Sequence, residues 1–433
     1  MSLKQTDMLE DHVIELINKL KRVDIVIGIP SYNNSATIGK VVFSFSEGLK
    51  KYFPDLKSII INSDGGSKDN TRNIVESVKP SKNIGIISTK YNGPSGKGSA
   101  FRTIFEIAKR TEAKVIVVSD SDTKSITPEW YYALVTPVLN LGYGYVTPYY
   151  TRDKHDATIT NALVYPITRA LYGLRLRQPI GGDFSFSNGA LQIFLQQKYW
   201  SSYSYIHVFG IDIWMTTIAI NEGFRVCQTV LGIKEHDIKD PGTDLSPMFI
   251  QVIGTLFELL DYYEFRWKNI IKSNQGFIFG DFKFTEVEKI VVNIHEMLRK
   301  FYIGFEKYKN VWKTIFSKET FDEFSDFISK PKKSEIIIPV QLWAKIVYDY
   351  ACAYNFVKKE EKPFVLNSMI PLYFIRTVSF FKEAEYFNDE IADAVVEGNA
   401  GVFERTKSYL VNRWNYLKSN NITLKLSNKI IKY

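Results

Sequence analysis

Two aspartates two residues apart, Asp120 and Asp122, close the run VIVVSDSD that begins at Val115. Carboxylates so spaced at the mouth of a sheet offer a hard cation oxygen ligands and leave coordination positions for diphosphate oxygens. The plain alternative is an Asp-rich turn, or a cap on a helix beginning near Pro128. Three more polar clusters end apolar runs upstream: Pro30 to Asn34, Ser63 to Asn70 and Tyr91 to Gly98. In the first, Tyr32 can stack on a base. In the second, Asp64 can accept from a base or a ribose, while Asp69 reads better as a helix cap. In the third, glycines such as Gly96 let the backbone approach phosphate, and Lys97 adds charge at a helix N-terminus. This third cluster is neither a Walker loop nor a dinucleotide fingerprint, since both need other spacings.

These clusters need a scaffold that brings them together. From residue 23 to about 150, short β-branched runs (VDIVIGIP, SIIINSD, NIGIIST, VIVVSDSD) alternate with amphipathic segments, the pattern of a parallel sheet covered by helices. Open α/β sheets bind ligands beyond the carboxyl ends of their strands, so four such loops predict one shared site. Residues 151 to about 245 add an amphipathic segment, the Gly-rich turn RQPIGGDFSFSNGA, the segment FGIDIWMTTIAINEG and a last strand, FRVCQTVLGI. Beyond Pro247 the chain reads as long amphipathic helices rich in Phe, Tyr and Lys. The expected organisation is an N-terminal helix over 1–22, an α/β catalytic domain over 23–246 and an α-helical region over 247–433. The catalytic domain divides into a donor half (about 23–125) and an acceptor half (about 126–246).

An apolar content of 45% over 433 residues is enough for substantial cores. Cys227 and Cys352 stand far apart, which supports neither a disulfide scaffold nor a thiolate zinc site and fits a reducing compartment. The first residues lack the basic start and apolar block of a secretory signal, and no apolar run approaches the ~18 residues of a membrane span. Cytoplasm is the expectation. The excess of 55 Lys and Arg over 47 Asp and Glu gives +8, which favours phosphorylated small molecules without implying nucleic acid. Short basic runs at Lys330 to Lys333 and Lys425 to Lys432 read as solvated loops.

PSYNNSATIGKVV, SDGGSKDNT, SGKGSAFRTIF and VVSDSD, in this order, resemble the nucleotide-sugar half of GT-A glycosyltransferases over about residues 23–125. The resemblance implies a GT-A fold, Rossmann-like and mainly parallel with helices on both faces. It also implies donor contacts from Pro30, Tyr32, Asn34, Asp64, Gly96, Lys97 and Ser121. The doubled glycine in SDGGSKD, where the family usually has one, leaves the base-contacting carboxylate open between Asp64 and its neighbours.

Further along, Arg152-x-x-x-Asp156-x-x-x-Thr160, QPIGGDF, FGIDI and His236 resemble the retaining synthases that make mannosylglycerate, glucosylglycerate and glucosyl-3-phosphoglycerate. That likeness implies Arg152, Asp156 and Thr160 around the acceptor, and Gly182 and Asp183 under the donor sugar. It places Asp212 at the reacting centre and His236 with Asp120 and Asp122 on Mg²⁺ or Mn²⁺. The residues agree in type. Arg152 can fork onto a carboxylate, and a spacing of four would put all three acceptor residues on one helical face. Asp212, beside Ile211, Ile213 and Trp214, is costly to bury without a task, although a helix N-cap is the bland reading.

The implied reaction moves glucose or mannose from a GDP- or UDP-sugar to a small hydroxy acid such as D-glycerate or 3-phosphoglycerate. Two other readings are a GT-A transferase for a lipid or polysaccharide acceptor and a nucleotide-sugar-binding protein without turnover. A nucleotidyltransferase would need a Gly-rich loop after its first strand, which Pro30 to Asn34 lacks. The aromatic helical C-terminus could supply a homodimer interface.

Overall fold

Val- and Ile-rich runs bounded by Gly, Asp and Asn form the strands. The first five are β1 (Ile25–Ser31), β2 (Ser58–Asp64), β3 (Ile84–Lys90), β4 (Val115–Val118) and β5 (Tyr145–Thr151). They are followed by β6 (Leu174–Arg175), β7 (Phe184–Ser187), β8 (Val226–Ile233), β9 (Asn274–Gln275) and β10 (Ile278–Phe279). This computed structural model describes residues 9–20, 22–79, 81–237, 242, 245–329 and 337–426. The basic run at 330–333 and the tail from 427 lie outside them.

Two compact units divide the chain, each built from three segments. The first comprises 1–151, 176–237 and 276–285. Its eight-stranded sheet has the order β10-β8-β5-β7-β4-β1-β2-β3, parallel throughout except for β7, which runs antiparallel between β4 and β5. This is the GT-A-like sheet that the motifs implied. Three of its strands were not foreseen, β5 among them. β7 lies inside the stretch read as a Gly-rich turn, and β10 returns from beyond residue 247 to pair with β8 at the sheet edge.

The helices of this unit are α1 (Asp11–Leu20), α2 (Ile38–Tyr52), α3 (Thr71–Ser77), α4 (Lys97–Arg110) and α5 (Pro128–Leu141). Past the α6 segment (Tyr165–Tyr172) of the other unit come α7 (Asn188–Phe194), α8 (Gln197–Ser202) and α9 (Gly210–Asn221). Alternation along each strand sends Ile25, Ile27, Ile29, Val115 and Val117 into a core with α2 and α5. The opposite face is covered by α4, α7 and α9. Because both faces are buried, the parallel strands are apolar almost without interruption. Register aligns the carboxyl ends: Ser31 pairs with Asp64, Asp64 with Lys90 and Gly28 with Val118. The loops that follow β1, β2, β3 and β4 therefore emerge along one edge.

The second unit comprises 152–175, 238–275 and 286–433. Beside α6 it contains α10 (Ser246–Tyr262), α11 (Glu264–Asn269), α12 (Ile294–Ile315), α13 (Lys318–Ser329), α14 (Val340–Phe356), α15 (Lys362–Glu383) and α16 (Asp389–Ser419). The β6–β9 pair is its small sheet. Trp312 and Trp343, buried in the bundle, find acceptors for their indole N–H: Trp312 donates to the Ser368 carbonyl at 2.9 Å and Trp343 to Ala162 at 2.8 Å. The helical segment 359–383 has the length and apolar content to cross a membrane, but 83% of its most apolar window is buried inside the protein.

Candidate active site

Lys97 opens α4 and carries its ammonium between two carboxylates, 2.9 Å from Asp120 Oδ1 and 2.8 Å from Asp212 Oδ2. The helix start is held there by glycines. A Cβ on Gly98 would lie 1.8 Å from the Ile206 carbonyl oxygen, and Ser99 N–H donates to the His207 carbonyl at 3.1 Å. The expectation that these glycines serve phosphate approach is therefore incomplete, because they also seat α4 against the backbone of 206–208. Gly96 N–H donates to Tyr91 Oη at 2.9 Å.

Asp212 is the third residue of α9 and is buried, so the N-cap reading does not apply. Burial pushes its carboxyl up to about 6; the nearby Asp120 and Asp183 add to the rise, and Lys97 opposes it. Its Oδ1 is buried and has no hydrogen-bond partner among the described residues. One helical turn on, Thr216 donates to the Pro179 carbonyl at 2.7 Å, so this face of α9 looks onto the turn that carries Gly181, Gly182 and Asp183.

Asp183, expected under the donor sugar, is fully buried. Its Oδ1 accepts from the Ser119 hydroxyl and from Asp120 N–H at 3.3 Å. Its Oδ2 accepts from the Tyr150 hydroxyl and from Lys234 Nζ at 2.5 Å. With both oxygens engaged, Asp183 supports the end of β4 from beneath. Gly182, at φ +90°, leaves room for Asp120: a Cβ there would lie 1.9 Å from Asp120 Oδ2.

Asp64 is likewise buried and saturated. It accepts from Ser31 Oγ at 3.0 Å, from the N–H groups of Gly66 and Ser67 at 2.8 Å each, and from Ser67 Oγ at 2.6 Å. These bonds fold the SDGGS turn around the carboxylate. Tyr32, 59% exposed on the neighbouring loop, keeps its ring available for stacking. Asn34 Oδ1 accepts from Ser121 Oγ at 2.9 Å and from Tyr32 N–H at 2.8 Å, tying the loop after β1 to the Asp120-Ser121-Asp122 run. Pro30, buried in β1, pairs in register with Ser63. Asp69 accepts from Thr71 N–H at 3.0 Å, a helix-start role as expected, although the cap position itself is Asn70.

Asp120, Asp122 and His236 do not form a ready three-ligand cage: among the described residues, no group of three His, Cys, Asp or Glu side chains is placed to hold a metal. Asp120 is turned toward ammonium groups, with Lys234 Nζ 3.4 Å from Oδ2 in addition to Lys97 on Oδ1. Asp122 is half-buried and engages no donor or cation among the described residues. His236, also half-buried, lies on a segment that runs alongside the loop after Asp122. There Lys124 N–H donates to the Glu235 carbonyl at 2.7 Å, and Lys124 pairs with Asp237 at 2.8 Å. His236 Nδ1 is hydrogen-bonded to the Asp237 carbonyl at 2.8 Å. A carboxylate oxygen from Asp122 and an imidazole nitrogen from His236 are ligand types that suit Mg²⁺ or Mn²⁺.

In the second unit, Arg152 Nη1 donates to Asp156 Oδ2 at 2.9 Å. The pair is made by a turn, not by a helical face as the spacing suggested, since the helix begins only at Thr158. Thr160 is buried and opens a π-helical turn, Thr160–Val164, a distortion found often at functional sites.

Lys234 was not foreseen. One lysine carries no pattern; the available signal was its position closing the apolar strand β8, next to the acidic strand ends.

Residues 26–200 match the profile described as "Glycosyl transferase family 2". The chain is a nucleotide-sugar glycosyltransferase. A glucosyl-3-phosphoglycerate synthase from Petrotoga mobilis is 26% identical over 273 residues, covering 58% of this chain and 79% of that protein. It falls in the group that the middle motifs resemble. Among solved structures, the glucosyl-3-phosphoglycerate synthase from Mycobacterium tuberculosis with Mg²⁺ and uridine diphosphate is 21% identical, with a TM-score of 0.42, over 57% of this chain and 82% of that one. The same synthase with Mn²⁺, UDP-glucose and phosphoglyceric acid is 20% identical, with a TM-score of 0.42, over 57% and 83%.

Proposed function

We propose that this glycosyltransferase moves a hexose, glucose or mannose, from a GDP- or UDP-sugar to a small hydroxy acid of the D-glycerate or 3-phosphoglycerate type, with retention at C1. The observation that carries the reading is the Lys97 ammonium held between Asp120 and Asp212, with the second Asp212 oxygen buried and without a hydrogen-bond partner among the described residues. A buried acceptor left unsatisfied is costly and calls for a partner that the protein does not supply.

In this scheme the bond from C1 to the diphosphate oxygen breaks and one to the acceptor hydroxyl forms on the same face. The hydroxyl proton passes to the departing diphosphate. Lys97, at the N-terminus of α4, meets charge growing on that diphosphate. Asp212 faces the oxocarbenium-like C1 or positions the acceptor hydroxyl. Tyr32 stacks on the base, and Pro30, Asn34, Asp64, Gly96, Ser121 and Gly182 shape the donor site around it. Asp122 and His236 would hold Mg²⁺ or Mn²⁺, with Asp120 alongside; the cation supplies charge neutralisation at the diphosphate. Arg152, Asp156 and Thr160 receive the acceptor, the guanidinium on its carboxylate. The relative from Petrotoga mobilis, named for a glucosylated phosphoglycerate, supports this acceptor class.

The test is nucleotide release with a panel of GDP- and UDP-hexoses, Mg²⁺ or Mn²⁺, and D-glycerate against 3-phosphoglycerate. At least one pair should show release that depends on both acceptor and metal. Silence from every pair would move the assignment to a lipid or polymer acceptor, or to a binding protein without turnover.

A further inference from the structure

We propose that Lys234 is a positioning residue of the donor site, its buried ammonium clamped on Asp183 and fixing the carboxylate of Asp120 from below. The Lys234 side chain is only 2% exposed. Its Nζ lies 2.5 Å from Asp183 Oδ2, 2.8 Å from Thr123 Oγ1 and 3.4 Å from Asp120 Oδ2. The rings of Tyr150 and Trp130 flank the ammonium, their centroids at 5.3 and 5.8 Å.

A buried ion pair is weak evidence for stability, because apolar side chains of similar volume often hold a core as well. What an apolar pair would not do is reach Asp120. Three contacts fix that carboxylate: Lys97 on Oδ1, Lys234 on Oδ2, and the bare Cα of Gly182, where a Cβ would collide with it. Asp183 is held in turn by Ser119, Tyr150 and the Asp120 N–H, so the Lys234 ammonium is itself tied to a rigid base. Asp120 therefore meets a donor as a preset group, its orientation decided before the ligand arrives.

Removing Lys234 alone would leave Asp183 as an uncompensated buried charge, so the informative variant is the double one, Lys234→Met with Asp183→Asn. Two readouts apply to the full chain: crystal structures without ligand, and calorimetric titration with uridine diphosphate plus Mn²⁺. The double variant should melt within a few degrees of the wild type, show the Asp120 carboxylate rotated off Gly182, and bind about tenfold more weakly. An unmoved Asp120 overturns the proposal, as does binding within twofold of a wild type that does bind. The binding arm rests on the donor-site reading above. A wild type that ignores uridine diphosphate and Mn²⁺ would count against that reading, while the crystal structures still decide the role of Lys234. If the double variant does not fold, Lys234→Gln, which keeps a donor to Asp183 without the charge, carries the same two readouts.

Discussion

Asp212 in the sheet unit and Asp349 in the helical unit look alike by charge and burial. Both are buried, both face a cation, and burial raises both carboxyls to about 6. They differ in how completely their oxygens are used. Asp349 accepts from Ser317 N–H at 2.9 Å and from the Tyr409 hydroxyl at 2.6 Å, and pairs with Arg413 Nε at 2.7 Å. Asp212 has Lys97 on one oxygen and, among the described residues, no hydrogen-bond donor on the other. A raised carboxyl pKa is common to core supports and to reacting groups, so it does not separate them. Unspent hydrogen-bond capacity does.

That contrast can be broken most forcefully at Asp349. Asp349→Ala leaves Arg413 uncompensated and should lower unfolding free energy by about 4 kcal/mol in urea titration. Turnover per folded molecule should stay within twofold. Asp212→Asn should do the reverse, cutting turnover about a hundredfold while donor affinity stays within threefold and stability barely changes. Near-normal turnover would remove Asp212 from the reacting centre.

A smaller effect concerns pH. The folded pKa of Asp349, about 6, lies above the ordinary aspartate value of 3.8, so the folded state holds the extra proton between them. Its contribution to stability is then full below about pH 4 and is lost as pH rises through 6, a change of about 3 kcal/mol. Unfolding free energies of Asp349→Asn measured from pH 4 to 6 should lack that decline. Smallest in stability terms is Asp122→Ala: thermal melting should hardly move, because the carboxylate supports no other described residue, yet Mn²⁺ should no longer raise the activity. Unaltered metal dependence would sink the metal assignment.

How much of this was legible in the sequence follows from range. The loops after β1 to β4 were readable because each is a local strand-turn-helix pattern, and parallel register then carries them to one edge. β7 and β10 escaped notice because an antiparallel insertion and a late return are decided by partners far away in the chain. Residue type named Asp64, Asp183 and Asp212 alike, but could not say which would be saturated by neighbours: Ser67 and two N–H groups claim Asp64, while Tyr150 and Lys234 claim Asp183. Arg152 and Asp156 do come together, but across a turn and not along the helical face that their spacing suggested.

β10 also sets a timetable. Residues 276–285 belong to the sheet unit but are synthesised only after Ile238–Gln275 of the helical unit. Until they emerge from the ribosome, β8 is the sheet's outer strand, with its Gln228 N–H still waiting for the Phe277 carbonyl. A nascent chain halted near residue 246 would therefore present an unpaired, largely apolar edge, the kind of surface that recruits chaperones or other unfinished chains.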